Sequence, residues 1–442
     1  MRPVLFAFSA LLLAPAAAAQ TQPAAPASQP AQADPAFTAR LGELLGILNG
    51  TGDYASFFAP GFRANVPKDK FDATTARLIA SNGKPSAILG VAQATPWQGV
   101  VRVQFASGVA LMQLTIDPAA PHQVAGLVVR GFESAEKTLP EVERALAALH
   151  GDTGYAIARL GTGTPQLIAG RNADKPYAIG SAFKLVILAE LVRATNAGER
   201  KWDDLVTLDG SPLPSGGYMR QPKGTQVSLR ELATQMISIS DNSATDVLLK
   251  TLGRQKVEAM MPVLGIADPA RNRPFLSTLD MFKLKGVPGL ADKYLALDEA
   301  GRRALLDGEV AGLPLILIDQ TSFQKKIPNR IDTLEWFESP NDLVRVMDWL
   351  RRNTDGPTGA DARAVLSKNA GLGPDARGKW QWVGYKGGSE PGVMNMTYLL
   401  QARNGDWYAV TGSWNDLQRD VEQGRFAGLM GKAAELSAPP AP

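Results

Sequence analysis

Two parts of the chain separate apolar from polar positions in different ways. Near the start, Phe37, Leu41, Leu44, Leu45 and Leu48 recur at helix-face spacing. Beyond them Val100–Phe105, Val109–Ile116 and Val124–Arg130 alternate apolar with polar residues, which predicts three strands. Helices followed by a meander of strands predict a small α+β domain with a curved sheet wrapped on helices. Further on, Leu185–Leu191 is almost wholly apolar, with no Pro or Gly until Gly198, as in a helix buried on most sides. Tyr177–Gly180 before it reads as a short extended piece. Leu229–Ile237 predicts an amphipathic helix that Ser240-Asp241-Asn242 breaks, and Ser243–Asp246 opens another helix through Leu249. Trp380–Lys386 is a strand by its aromatic and β-branched content, followed by Gly387-Gly388-Ser389. Thr333–Ser339 leads through Pro340 into a helix over Asn341–Met347.

Composition narrows the class. The 442 residues, 45% of them apolar, suffice for two domains with separate cores. A net charge of +3, from 46 basic and 43 acidic residues, is too mild and dispersed to argue for nucleic acid. With only His122 and His150 and no cysteine, a Cys/His zinc cluster and a disulfide are excluded, and neither a metal nor a cofactor is expected. His150 is expected to cap a helix and His122 to lie in a turn, so a histidine-dependent triad is not expected. Arg2, the apolar run Val4–Leu13 and Ala17-Ala18-Ala19 predict a cleavable secretory signal over residues 1–19, hence a periplasmic or secreted protein. The Ala/Pro/Gln-rich residues 20–35 predict an extended tether, and the tail 436–442 is similar. No later apolar stretch is long enough to span a bilayer. The expected organisation is a small domain over 36–133 and a larger one over 138–435.

Three motifs carry candidate chemistry. Ser181 and Lys184 stand three apart at the start of the apolar helix, on one face and one turn from each other. The same spacing occurs at Ser81/Lys84, Ser134/Lys137 and Ser322/Lys325, but only Ser181 opens an apolar helix. A serine hydroxyl needs a base to attack a carbonyl, and a lysine serves only when desolvation or a neighbouring cation holds it neutral. Lys386 is the candidate cation. The helix start also directs free backbone N–H groups toward a developing oxyanion. Ser240 can present a hydroxyl to shuttle a proton and Asn242 an amide to grip a carbonyl, while glycines at 387 and 388 let a substrate backbone lie against the strand edge. Each motif alone also admits an ordinary reading: a solvated helix start, an Asx-capped turn, a turn at a strand end.

Together and in this order, Ser181-Ala182-Phe183-Lys184, Ser240-Asp241-Asn242 and Lys386-Gly387-Gly388 resemble the S-x-x-K, S-D-N and K-T-G set of the penicillin-recognising serine hydrolases, the class A β-lactamases and penicillin-binding proteins. The 59 residues from Ser181 to Ser240 are similar to the class A spacing. The resemblance covers residues 138–435. It implies an α+β, two-domain protein whose second domain is class A β-lactamase-like (DD-peptidase), with an antiparallel sheet and a helical subdomain. A helix near 139–149, strands near 153–170, three closing strands and a C-terminal helix belong to that expectation. So do the roles: Ser181 the nucleophile, Lys184 its proton acceptor, Ser240 the relay, Asn242 the substrate-holding amide, Lys386 the cation facing a substrate carboxylate, and the N–H groups of Ser181 and Ser389 the oxyanion hole. Gly388 borders the substrate.

Two departures qualify the resemblance. Gly387 replaces the family's hydroxyl-bearing Thr, a contact that Ser389 can restore. No Glu-x-x-Leu-Asn segment, which in class A enzymes activates the deacylating water, occurs in the chain, and Arg271–Lys283 is built differently in its place. Release of an acyl group is therefore expected to be weak or atypical, with Glu335 or Asp280 the candidate for a replacement carboxylate. The 146 residues from Ser240 to Lys386 exceed the class A interval by about one helical hairpin. A small domain, cystatin-like or nuclear-transport-factor-like, ahead of such a hydrolase also resembles the two-domain family of clavulanate biosynthesis clusters linked to cephalosporin ester cleavage, in Thr333–Phe337 and Phe275-Leu276-Ser277. That resemblance puts Ser277 in place of the missing acid and has Tyr385 and Met394 line the pocket. The expected partner is a small β-lactam or ester; the alternative is a slow binder of β-lactams or peptidoglycan peptides, or a D,D-peptidase.

Overall fold

The computed structural model describes residues 34–356 and 359–440. The expected signal over 1–19 and nearly all of the tether lie outside the described residues. The chain divides into two compact units after Ala135.

In the first unit, α1 (Pro35–Leu48) starts two residues ahead of Phe37, because the Asp34 carboxylate accepts the Ala36 N–H and Pro35 supplies the first helical position. Two short helices and α2 (Lys68–Asn82) follow. Then β1 (Ala87–Thr95), β2 (Gln98–Phe105), β3 (Gly108–Ile116) and β4 (Val124–Ser134) form an antiparallel sheet in that order. Alternation in β2 and β3 buries Val101, Val103, Phe105, Ala110, Met112 and Leu114 with Phe37, Leu44 and Ile47 of α1. β1 was not expected. Its burial does not alternate, and it is held by its pairing with β2.

The second unit is built on a five-stranded antiparallel sheet. It opens with α3 (Leu139–Ala147), β5 (Asp152–Leu160) and β6 (Gln166–Arg171), and closes with β7 (Trp382–Glu390), β8 (Val393–Gln401) and β9 (Trp407–Asn415). The strand order is β7-β8-β9-β5-β6, so β7 is an edge. Between the two groups of strands lie α4 (Lys184–Asn196), α5 (Leu229–Ser238), α6 (Asn242–Leu252), α7 (Thr278–Gly286), α8 (Pro340–Asn353) and several shorter helices; α9 (Gln423–Leu436) ends the unit. One sheet face packs Tyr155, Met396, Tyr398 and Trp414 against α3 and α9. The other packs Ala156, Ala158, Leu399 and Ala409 against α4, α8 and the remaining helices. β8 is buried at every position but its last, as a strand covered on both faces must be.

One local expectation is corrected. Gly387-Gly388-Ser389 does not follow the strand but continues it, since β7 pairs with β8 from Trp382–Gln401 to Glu390–Val393.

Candidate active site

Ser181 sits in a tight 3-10 turn, Gly180–Phe183, which runs straight into α4 at Lys184. The turn is anchored from outside the helix: Ile179 N–H donates to the Trp336 carbonyl (3.0 Å), and Trp336 stacks on Phe183 with centroids 3.7 Å apart and 9° between planes. Lys184 is fully buried and meets the Ser-Asp-Asn segment at the α5–α6 junction. Its Nζ donates to the Ser240 carbonyl (2.7 Å), Ser240 Oγ (3.1 Å) and Asn242 Oδ1 (2.7 Å). All three bonds go to that loop and none to Ser181.

The loop is rigid for local reasons. Asp241 caps α6, accepting from Ala244 N–H (2.8 Å), Ser243 Oγ (2.6 Å) and Gly217 N–H (2.6 Å). Ser240 is thereby held at φ 60°, a left-handed conformation that is costly for a non-glycine residue and clusters at functional sites. Lys386 approaches the same hydroxyl from β7, its Nζ donating to Ser240 Oγ (3.1 Å) and to the Gly387 carbonyl. The three motifs therefore meet at one oxygen.

Two buried amines sharing one hydroxyl cannot both hold a full charge cheaply. Burial lowers Lys184 to about 7, while Asp246 and Asp241 pull it back up. Lys386 is also held well below the usual lysine range, by burial and then by the Lys184 amine.

The seam between β7 and the Ser181 turn has no room for side chains. A Cβ on Gly388 would stand 2.0 Å from the Ile179 carbonyl oxygen and 2.5 Å from Ser181 N, and one on Gly180 would stand 2.9 Å from Ser389 N. The backbone nitrogens of Ser181 and Ser389 thus both border this seam. At Gly387 a Cβ would stand 2.2 Å from the Tyr385 hydroxyl, so Tyr385 fills the space of the absent Thr side chain, its ring stacked on Tyr398.

The remaining candidates fall elsewhere. Met394 pairs with Ser389 and belongs to the core cluster on the α3/α9 face. Ser277 caps α7 in a reciprocal pair with Asp280, and Asp280 also bonds Arg254. Glu335 is buried beside Lys285. His150 follows α3 and pairs with Asp416 instead of capping that helix, whose cap is Ala148, and His122 follows Pro121 at a turn.

Asp246 was missed. It lies one turn beyond Asn242 on α6, accepting the Thr278 and Leu279 N–H groups (2.8 and 2.9 Å), and so pins the start of α7 beside the site. Burial pushes it up to about 7 and those donors pull it back. The i, i+4 spacing from Asn242 was the available signal.

Residues 137–354 match the beta-lactamase enzyme family, a segment that contains Ser181, Lys184, Ser240 and Asn242 and stops short of Lys386. That segment of the second unit is thus similar to the β-lactamase-like serine hydrolases. A beta-lactamase of Streptomyces albus G is 31% identical over 160 residues, 33% of this chain and 48% of that protein, so the chain spans about half the length of this curated relative. Among solved structures, a beta-lactamase from Sphaerobacter thermophilus DSM 20745 is 21% identical, covering 67% of this chain and 95% of that one at a TM-score of 0.46. PBP-A is 17% identical, covering 68% and 98%, also at 0.46.

Proposed function

We propose that the protein is an exported serine hydrolase in which Ser181 attacks a β-lactam or related ester to form an acyl-enzyme that is released by an atypical route. The observation that carries this reading is the Ser240 hydroxyl held 3.1 Å from each of two buried amines, one of them a single turn from Ser181. An anionic substrate beside Lys386 draws a proton onto it, and like-charge repulsion then leaves Lys184 as the free amine that a base must be. Lys184 takes the Ser181 proton as Oγ bonds to the carbonyl carbon, and Ser240 relays it to the leaving group. The N–H groups of Ser181 and Ser389 receive the oxyanion.

Brief exposure to a β-lactam followed by peptide mass spectrometry is expected to find the adduct on the peptide containing Ser181; an adduct elsewhere, or none at all, overturns the reading. Comparing lactam opening with loss of the 3′-acetate from one cephalosporin separates lactamase from esterase.

The charge of Asp246 supplies a second prediction. Its carboxylate favours the Lys184 ammonium, so Asp246→Asn lowers the Lys184 pKa and the free amine persists to lower pH. Because Asp246 itself lies near 7 and is charged only over the upper part of that limb, the acid limb of the acylation rate is expected to move down by a fraction of a pH unit. Stopped-flow acylation across pH 5 to 9 checks it, and an unmoved limb shows that Asp246 only pins α7.

A further inference from the structure

A buried cluster beside the Ser181 turn is used by none of the steps above. Lys285, near the end of α7, places its Nζ 2.5 Å from Glu390 Oε1 and 3.4 Å from Glu335 Oε1. The Lys285 and Glu335 side chains are 0% and 1% exposed; Glu390 is 14% exposed. The two carboxyls also hydrogen-bond each other. Two carboxyls facing one ammonium leave one negative charge in excess, so the cluster is able to take up a proton.

Each arm of the cluster attaches to a residue that touches the nucleophile's turn. Glu335 precedes Trp336, whose N–H it accepts and whose carbonyl and ring hold Ile179 and Phe183. Glu390 lies two positions beyond Gly388 on β7. Successive side chains of a strand alternate faces, so 386, 388 and 390 share one. On that face Lys386 reaches Ser240, and Gly388 lies against the backbone of Ser181. Lys285 belongs to α7, whose first turn is pinned by Asp246 next to Lys184.

Releasing an acyl group from a serine ester requires a base to take a proton from the attacking water. We propose that Glu390 is that base, held ready by Lys285 and Glu335. This rests on the acyl-enzyme reading above. Glu335 is enclosed, with one oxygen on the Trp336 N–H and the other toward Lys285, whereas Glu390 is the carboxyl that water reaches. In the step, the water oxygen bonds to the acyl carbon as one of its protons passes to Glu390. The bond from that carbon to Ser181 Oγ then breaks, and the serine regains a proton from solvent by way of Ser240 and Lys184. Glu390 loses its proton to solvent, so the balance is one water consumed and one carboxylic acid formed. Burial holds the Glu390 carboxyl above the usual range, Lys285 opposing and Glu335 assisting, which suits a group that must accept a proton near neutrality.

The test follows the Ser181 adduct by mass spectrometry in wild type, Glu390→Gln and Glu335→Gln after exposure to one β-lactam. Glu390→Gln is expected to acylate within about threefold of wild type and to keep its adduct on the order of 100-fold longer, a typical general-base loss. Hydroxylamine, which needs no enzymic base, should clear that adduct at the wild-type rate. Glu335→Gln should lengthen the adduct's life much less. Equal lengthening in both variants makes the cluster structural and overturns the proposal, as does an adduct that clears from Glu390→Gln as fast as from wild type. If Glu390→Gln does not fold, Glu390→Asp takes its place, where withdrawal of the carboxylate by one methylene should lengthen the adduct's life about tenfold and an unchanged lifetime overturns the proposal. A wild type that never carries an adduct on Ser181 sinks the acyl-enzyme reading and this inference with it; rapid clearance from the variant sinks this inference alone.

Discussion

Lys184→Met is expected to slow acylation of Ser181 by about 10³-fold or more, within the range found when a positioned general base is removed. The substitution keeps the length of the side chain and its burial and removes only the amine. Two losses combine. Ser181 loses the amine one turn away that is proposed to take its proton, and the Ser240 segment loses three of its contacts, because the Lys184 Nζ supplies bonds to the carbonyl, the hydroxyl and the Asn242 amide oxygen together and only Lys386 is left on that hydroxyl. In the proposed mechanism the same group sets the pH dependence of the wild type. The amine is a base only when unprotonated, and its value near 7 means that the acylation rate falls about tenfold for each unit below that pH and levels above it. Stopped-flow acylation measures both effects. A variant within tenfold of wild type, or a wild-type profile flat from pH 5 to 8, removes Lys184 from the chemistry.

The residues that this prediction uses were legible because their signals are local. Ser181 and Lys184 are one turn apart on an apolar helix, and Ser240 and Asn242 sit where one amphipathic pattern stops and the next begins. The cluster beside them had no such signal. Lys285 meets Glu335 across 50 positions and Glu390 across 105, and no periodicity records contacts at those separations. Glu335 was singled out only as a carboxylate in the long interval before Lys386, and Glu390 escaped notice because the glycines before it read as a turn. Their strand conformation comes from pairing with β8, a tertiary effect that outweighs the low strand propensity of glycine. In the first unit the same distinction holds. β2 and β3 announced themselves by alternation, whereas β1, lacking a clean buried face, depends on its neighbour.

Gly388→Ala is expected to abolish most of the acylation and to destabilise the second unit by about 3 kcal/mol, the upper range for an overpacked site. The added Cβ would lie 2.0 Å from the Ile179 carbonyl oxygen, 2.5 Å from Ser181 N and 2.7 Å from Ala182 N. All three atoms are backbone, so no rotamer change relieves the clash; either β7 or the turn carrying Ser181 must move. The turn is clamped by the Ile179–Trp336 hydrogen bond and the Phe183–Trp336 stack, and β7 by its full register with β8. A displacement of about 1 Å between the nucleophile and the Ser389 N–H is enough to cost on the order of 10²-fold in rate. Gly387→Ala is the control. Its Cβ would meet the Tyr385 hydroxyl at 2.2 Å and the Asn395 carbonyl oxygen at 3.0 Å, and the closest of these is the far end of a side chain. Thermal unfolding and acylation rates of the two variants should therefore separate, with Gly388→Ala the worse in both. Equal behaviour would mean that close approach of β7 to the Ser181 turn is not what aligns the site.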